Sequence, residues 1–160
     1  MSRPLLPKPD RKPLIALVDR ANRALQGDMV REAQSRGYEW AKYAHNAVFG
    51  TLGSDGGRAT DMAARAGITR QSMGEVVREL VDLGVLEMAP DPDDRRAKLV
   101  RYTAAGKKMA GDGYRHIIDL ERRFAKEFGE EEYEVARRVL ERVADILDEV
   151  HEEELAFRLT

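Results

Sequence analysis

The sequence predicts a mainly α-helical fold that carries one small two-stranded β-hairpin. Apolar residues recur at spacings of three and four in several long segments, as they do on one face of an amphipathic helix. Two short runs rich in aliphatic residues, 85–88 and 98–102, interrupt this helical pattern. Prolines and aspartates lie between the two runs, and such a polar tip is typical of a hairpin.

Six helices are expected, and a glycine or a capping residue marks most of their ends. The third is expected to begin with Thr60 as its cap and to stop at Gly67, and the fourth to begin at Thr69. Thr103 is expected to cap the fifth helix, which Gly129 separates from the sixth. The predicted helical segments are 13–36, 38–52, 60–66, 69–83, 103–128 and 130–155.

Composition narrows the class of protein. A chain of 160 residues, 42% hydrophobic and 35% charged, is too apolar to be disordered and too charged for a membrane protein. Its longest aliphatic run is residues 14–18, whereas a membrane span needs about 20 apolar residues. The absence of cysteine excludes disulfides, zinc–cysteine sites and thiol switches. The first residues, Met-Ser-Arg-Pro, form no apolar signal core, so a cytoplasmic protein is expected.

Charge is distributed unevenly along the chain. The formal net charge is −2, but residues 1–54 carry +4, residues 55–110 carry +1 and residues 111–160 carry −7. The acidic excess therefore lies in the last third. Any surface for nucleic acid is expected elsewhere, as a local basic patch.

Two short helices joined at Gly67 have the pattern of a helix-turn-helix. Alanines before Gly67 permit a close crossing, and the glycine permits a tight turn. The second helix has one apolar face and one polar face, and the polar groups can bond phosphates and base edges in the major groove of DNA. A solvated face of an ordinary helix pair is the alternative. The polar face comprises Thr69, Arg70, Gln71, Ser72, Glu75 and Arg78.

The hairpin tip is basic. Arg95, Arg96 and Lys98 lie at the end of a projecting ribbon, where an arginine can enter the narrow, negative minor groove. A neighbouring aspartate can hold the guanidinium through a bidentate bond. A charged turn on any surface hairpin is the alternative, and the helix pair directly before the hairpin counts against it.

The first, fifth and sixth helices have more apolar surface than one small core needs. A homodimer interface would use the surplus, and a twofold axis would set two recognition helices one DNA turn, ~34 Å, apart. A long monomeric bundle is the alternative. We therefore expect dimerisation segments at 13–53 and 103–160 and a DNA-binding segment at 58–102, all in one domain, 13–160. Residues 1–12 are expected to form a flexible basic arm, or simply a disordered tail.

Residues 60–106 resemble the winged helix of the MarR (multiple antibiotic resistance regulator) family. The resemblance rests on segments 60–72, 80–87 and 91–106, and the last, beginning Asp-Pro-Asp-Asp-Arg-Arg, is the most specific. It implies a winged helix-turn-helix in an intertwined six-helix homodimer, with the hairpin as the wing. It further implies that Arg96 enters the minor groove and that Asp94 orients it.

The function that this resemblance implies is sequence-specific binding of double-stranded DNA by a transcription regulator, a ligand-responsive homodimeric repressor on a pseudo-palindromic operator. Gly74 and Glu75 depart from the Ser-Arg pair that many members carry at this position. Glycine weakens a helix by about 1 kcal/mol relative to alanine. Glutamate removes a phosphate partner or accepts a cytosine amino group. The candidate DNA-binding residues are Thr60, Thr69, Arg70, Gln71, Ser72, Glu75, Arg78, Asp94, Arg95, Arg96 and Lys98.

Many relatives bind small aromatic or phenolic effectors between the dimer helices and the DNA-binding lobe. The matching region of this chain holds aromatic and cationic side chains that are suited to such a ligand. Ordinary core and interface positions are the alternative. The candidate effector residues are Arg20, Trp40, Tyr43, His45 and Arg115.

A second functional hypothesis is a winged-helix scaffold that binds protein without DNA, which the near-neutral charge of residues 55–110 permits. No nucleophile elbow, phosphate loop or metal motif occurs in the sequence, so neither an enzyme nor a cofactor or metal is expected. We expect no membrane partner, and we expect association with the nucleoid when DNA is bound.

Overall fold

The computed structural model describes residues 11–94 and 96–158, with side chains described up to residue 149. Within these residues the chain forms six α-helices and a two-stranded antiparallel sheet, which confirms the predicted mainly α fold with a β wing. The elements are α1 Leu14–Ser35, α2 Asn46–Phe49, α3 Ala59–Ala66, α4 Arg70–Asp82, β1 Leu86–Pro90, β2 Lys98–Tyr102, α5 Ala104–Phe128 and α6 Glu130–Arg158.

The chain divides into two compact units, Met1–Tyr114 and Arg115–Thr160, and the division falls inside α5. The first unit contains α1 to α4, both strands and the start of α5. The second contains the rest of α5 and α6. The predicted basic arm lies outside the described residues except for its last two positions. None of the described helices combines the length and hydropathy that a membrane crossing requires.

The single helix predicted over 38–52 is wrong. The structure has a 3-10 turn, Tyr43–His45, followed by the short helix α2. The residues before the turn are held by other bonds: the Gln34 amide donates to the Ala41 carbonyl over 2.9 Å, and the Ala41 N–H donates to the Tyr38 carbonyl over 2.8 Å. These contacts with α1 and within the loop outweigh the helical spacing of the apolar residues, because tertiary bonding overrides a weak local propensity.

Helix α3 begins two residues earlier than predicted, because its N-cap is Arg58 and not Thr60. Arg58 has the extended backbone of an N-cap, and its carbonyl accepts the N–H groups of Asp61 and Met62 over 3.1 and 3.0 Å. Thr60 is therefore an exposed residue inside the first turn.

The wing is a regular antiparallel hairpin with a short third edge. Leu86 pairs with Tyr102 and Met88 with Val100. Gly57 adds two backbone hydrogen bonds to Val100, of 3.0 and 2.9 Å, on the other side of β2. The segment before α3 is thus part of the wing, so the helix pair and the hairpin share backbone bonds.

An apolar core joins α2, α3, α4 and the wing. The side chains at its centre are almost completely inaccessible to solvent, and they come from all four elements. Burial of this kind stabilises a fold by about 25 cal/mol for each Å² of apolar surface removed from water. The largest of these buried apolar side chains are Val48, Met62, Met73, Leu80, Leu86 and Val100.

The wing returns to α5 through Thr103, whose hydroxyl accepts the Gly106 N–H over 3.1 Å, as a helix cap does. The same hydroxyl donates to the Gly84 carbonyl over 2.6 Å. The first turn of α5 lies so close to this connection that a Cβ atom on Gly106 would be 2.0 Å from the Val85 carbonyl oxygen. Only glycine fits at position 106.

We predict that Gly106→Ala lowers the free energy of unfolding by about 2–3 kcal/mol, because backbone must move to admit the methyl group. Urea denaturation of the full-length protein measures this change. Gly113→Ala is the matched control on the same helix, since its Cβ would lie 3.4 Å from the flexible end of Met29. Equal urea midpoints for the two variants would contradict the prediction.

Candidate nucleic-acid interface

Helices α3 and α4 form a helix-turn-helix. Gly67 adopts the left-handed conformation with φ +65°, as the sequence predicts, and the Ile68 N–H donates to the Ala63 carbonyl over 3.1 Å. Ala63 is buried at the crossing. Thr69 caps α4, because its hydroxyl accepts the Ser72 N–H over 3.0 Å. The turn and both caps around it therefore set the angle at which α4 leaves α3.

Helix α4 buries one face and exposes the other. Met73, Val77 and Leu80 are buried in the core. On the exposed face, the Gln71 amide nitrogen donates to the Glu75 carboxylate over 3.1 Å, which orients the amide before any ligand arrives. The exposed residues of this face are Arg70, Gln71, Ser72, Glu75 and Arg78.

Gly74 lies in the middle of α4, and nothing steric requires glycine there. A Cβ atom on Gly74 would be 3.7 Å from the nearest Arg78 guanidinium nitrogen, an ordinary contact distance. The glycine therefore weakens the helix without making room for a neighbouring group of this chain.

The wing tip exposes Arg96 and Lys98, while Arg95 lies outside the described residues. The Asp94 carboxylate accepts the backbone N–H of Arg96 over 3.0 Å. We expected Asp94 to orient the guanidinium of Arg96, whereas this observed contact is with its main chain. Asp94 thus shapes the turn that presents Arg96, as aspartates commonly do in Asx turns.

An ion pair that the sequence does not predict lies at the base of the tip. One carboxylate oxygen of Asp91, which is 4% exposed, accepts a hydrogen bond from Nε of Arg58 over 2.7 Å and lies 2.6 Å from Nη2. Its other oxygen accepts the Asp93 N–H over 2.9 Å. The Asp93 amide and the Arg58 guanidinium hold the pKa of the Asp91 carboxyl below its ordinary value, and Asp91 raises the pKa of Arg58. The Asp-Pro-Asp segment indicates that Asp91 is a turn residue. No local spacing in the sequence, however, indicates a partner 33 residues away.

A second polar cluster links α4 to the 3-10 turn. The Glu79 carboxylate accepts from Lys42 Nζ over 2.6 Å and lies 3.5 Å from Nε2 of His45. His45 is 1% exposed, and its Nδ1 accepts the Lys42 N–H over 3.3 Å, so the neutral ring carries its proton on Nε2. Burial lowers the pKa of His45 from 6.5 despite the nearby carboxylate. Lys42 lowers the pKa of Glu79.

The candidate effector residues include one packed pair. Trp40 packs edge-on against His45, with ring centroids 5.5 Å apart, so these two belong to one packed cluster. Tyr43 is 49% exposed, and Arg20 is exposed on α1. Arg115 lies on the part of α5 that belongs to the second unit.

Comparison with protein families agrees with this geometry. Residues 57–106 match the family model described as a winged helix DNA-binding domain, and this segment runs from the Gly57 bridge to Gly106. Residues 57–106 form a winged helix, and this segment is similar to the family of that description. The match covers α3, α4, the hairpin and the start of α5, which are the elements that carry the polar face and the basic tip.

Solved structures extend the likeness of this winged-helix protein to most of its chain. A MarR family transcription regulator is 16% identical with a TM-score of 0.72, covering 87% of this chain and 91% of its own. Apo wild-type MarR from E. coli is 16% identical with a TM-score of 0.67, covering 84% and 98% respectively. CouR from Rhodococcus jostii, solved with p-coumaroyl-CoA bound, is 21% identical with a TM-score of 0.64, covering 80% and 89%.

The winged-helix protein therefore has the fold of MarR family transcription regulators. A comparison with curated protein sequences finds no match.

We predict that the stability of the protein falls with acidity between about pH 7 and pH 5, and that His45→Asn removes most of this fall. The pKa of His45 is lower in the folded state, so the unfolded chain binds the proton more readily. The contribution is thus complete above about pH 6.5 and declines below it. Glu79, with its pKa lowered from 4.5, loses its contribution only below this window. Urea midpoints measured between about pH 7 and pH 5 give the slope of stability against pH.

Asparagine at position 45 retains an oxygen that can accept the Lys42 N–H, so the variant changes titration more than local bonding. A His45→Asn slope equal to that of the wild type would show that other groups cause the acid sensitivity.

Proposed function

We propose that this protein is a homodimeric, sequence-specific regulator of transcription that binds double-stranded DNA. The observation that carries the proposal is the polar face of α4, exposed and capped at Thr69, beside a hairpin whose tip exposes Arg96 and Lys98. Both features belong to one winged-helix segment with a shared core.

Each group has a defined role in this proposal. Helix α4 enters the major groove, where Gln71 and Arg70 bond base edges and Ser72 bonds phosphate. Arg96, together with Arg95, occupies the minor groove, and Lys98 meets the adjacent phosphates. The remaining candidate contacts at this surface are Thr60, Thr69, Glu75, Arg78 and Asp94.

A homodimer is supported by apolar side chains that the single chain leaves exposed on both units. A twofold pair would bury them and would present two winged helices to successive major grooves of a pseudo-palindromic operator. These exposed side chains include Leu14, Ile15, Leu17, Val18 and Leu25 on α1, and Val135, Val139, Leu140, Ile146 and Leu147 on α6.

In the proposed cycle the dimer represses by occupying its operator, and a small aromatic or phenolic effector releases it. Support for an effector comes from CouR, a protein of the same fold that was solved with p-coumaroyl-CoA bound. Arg20, Trp40, Tyr43, His45 and Arg115 remain the candidate effector residues. The protein acts in the cytoplasm, at the nucleoid when DNA is bound, as a binding protein and not an enzyme.

A winged-helix scaffold that binds only protein is the competing function, favoured by the small net charge of residues 55–110. Salt dependence separates the two. Binding to duplex DNA through phosphates should weaken with a log–log slope of about −0.9 per neutralised phosphate. If selection from a random library of duplexes recovers no sequence that binds, the protein-binding scaffold is favoured.

We predict that Arg96→Ala weakens binding to a library-selected duplex by roughly tenfold or more, because the minor groove loses its guanidinium. Fluorescence anisotropy with the labelled duplex measures the affinity. Arg138→Ala, an exposed arginine on α6, is the control and is expected to leave affinity unchanged. Unchanged affinity of Arg96→Ala would remove the wing from the interface.

We predict that Val139→Glu shifts the protein from dimer to monomer in sedimentation velocity, because a carboxylate would be buried without a partner in the pair. Val139 is half exposed in the single chain, so its replacement disturbs little else. Arg138→Glu places the same group on the polar side of α6 and is expected to remain dimeric. A dimeric Val139→Glu protein would exclude this stripe from the interface.

A further inference from the structure

We propose that the Arg58–Asp91 ion pair sets the position of the wing relative to the helix-turn-helix, and that Arg58 supports DNA binding without contacting DNA. This inference rests on the proposed DNA-binding function. Arg58 and Asp91 are positioning residues in this proposal: they act through Arg96 at the tip and through α4.

The ion pair joins two elements that are distant in sequence. Asp91 follows the last residue of β1, where the hairpin leaves the core, and Arg58 is the N-cap of α3. Nε of Arg58 donates to one Asp91 carboxylate oxygen over 2.7 Å, and Nη2 lies 2.6 Å from the same oxygen in the ion pair. Two N–H groups of one rigid guanidinium restrict both the distance and the angle between the two elements.

Asp91 also organises the tip itself. Its second oxygen accepts the Asp93 N–H over 2.9 Å, and its own N–H donates to the Ala97 carbonyl over 3.2 Å. The next bond along the tip runs from the Arg96 N–H to Asp94. A series of hydrogen bonds, joined by the peptide link between residues 93 and 94, therefore leads from the guanidinium of Arg58 to the main chain of Arg96.

Arg58, at the other end of this series of bonds, is also held by backbone hydrogen bonds. The Arg58 carbonyl accepts the N–H groups of Asp61 and Met62 in the first turn of α3. The neighbouring Gly57 is bridged to Val100 in the middle of β2. That backbone bridge fixes the base of the wing, whereas the ion pair lies at the strand end toward the tip. The two attachments together remove the hinge freedom that a two-stranded ribbon would otherwise have.

Burial gives the Asp91 carboxylate a strong requirement for a positively charged partner. The Asp91 side chain is 4% exposed, whereas that of Arg58 is 40% exposed. A buried carboxylate without a counter-charge is strongly unfavourable, so removal of Arg58 is expected to displace Asp91 and the tip with it. Loss of either partner should therefore disturb the same bonds, which predicts equal effects that do not add.

The experiment compares full-length wild type, Arg58→Met, Arg58→Lys, Asp91→Asn and the Arg58→Met/Asp91→Asn double variant. Binding to the library-selected duplex and to poly(dI-dC) is measured over a range of KCl concentrations, at a temperature where circular dichroism shows every variant folded. We expect Arg58→Met and Asp91→Asn each to weaken binding to the selected duplex by roughly tenfold, with the double variant no weaker. Affinity for poly(dI-dC) and the salt slope should remain at the wild-type values.

Arg58→Lys separates positioning from direct contact. Lysine preserves the charge but makes only one-point contact with Asp91, so partial recovery of affinity is expected. Two results would overturn the proposal. One is wild-type affinity for the selected duplex in both single variants. The other is a salt slope reduced by about 0.9 in Arg58→Met with no loss in Asp91→Asn, which would place Arg58 on a phosphate.

Amide hydrogen exchange tests the pair independently of DNA. Backbone amides of residues 91–98 should exchange faster in Arg58→Met than in wild type, while those of α4 stay unchanged. If wild type binds no duplex, the proposed function fails, and exchange still decides whether the pair holds the wing. Unchanged exchange at 91–98 would overturn the positioning role whatever the DNA result.

Discussion

The apolar core that α3, α4 and the wing share is the constraint on which the rest of this structure depends. Met62, Met73 and Leu80 come from the two helices, and Leu86 and Val100 come from the two strands. Because all five pack together, the exposed face of α4 and the basic tip cannot move freely relative to each other. The proposed function needs the helix that enters the major groove and the arginine that enters the minor groove to lie at a fixed separation, and the shared core provides most of it.

Two polar clusters restrict the positions of segments that the apolar core does not hold. The ion pair of Arg58 with Asp91 lies where the hairpin leaves the core, and the Lys42–Glu79–His45 cluster lies where α4 meets the 3-10 turn. Each includes one nearly inaccessible group, so each has a strict demand for its partner. The ion pairs on the α1 surface, such as Arg36 with Glu32, are exposed neighbours on one helix and contribute little to specificity.

Close backbone approaches impose a second kind of constraint. Gly106 admits the Val85 carbonyl at a distance that no Cβ permits, and a Cβ atom on Gly56 would lie 2.7 Å from the Val100 carbonyl oxygen. The backbone of the wing and of the residue before it is thus in close contact with α5 on one side and with the loop before α3 on the other. This explains how a hairpin of only two full strands can serve as a rigid element.

The sequence by itself determined the local elements: the turn at Gly67, the caps at Thr69 and Thr103, the hairpin and most helix bounds. These features depend on backbone chemistry within a few residues, which a pattern records directly. Only the tertiary structure decided that the segment after Tyr38 is mostly not helical, that Arg58 starts α3, and that Asp91 and His45 are buried with partners far away in sequence. Those outcomes depend on which distant groups meet, and the spacing of residues along one chain does not encode that.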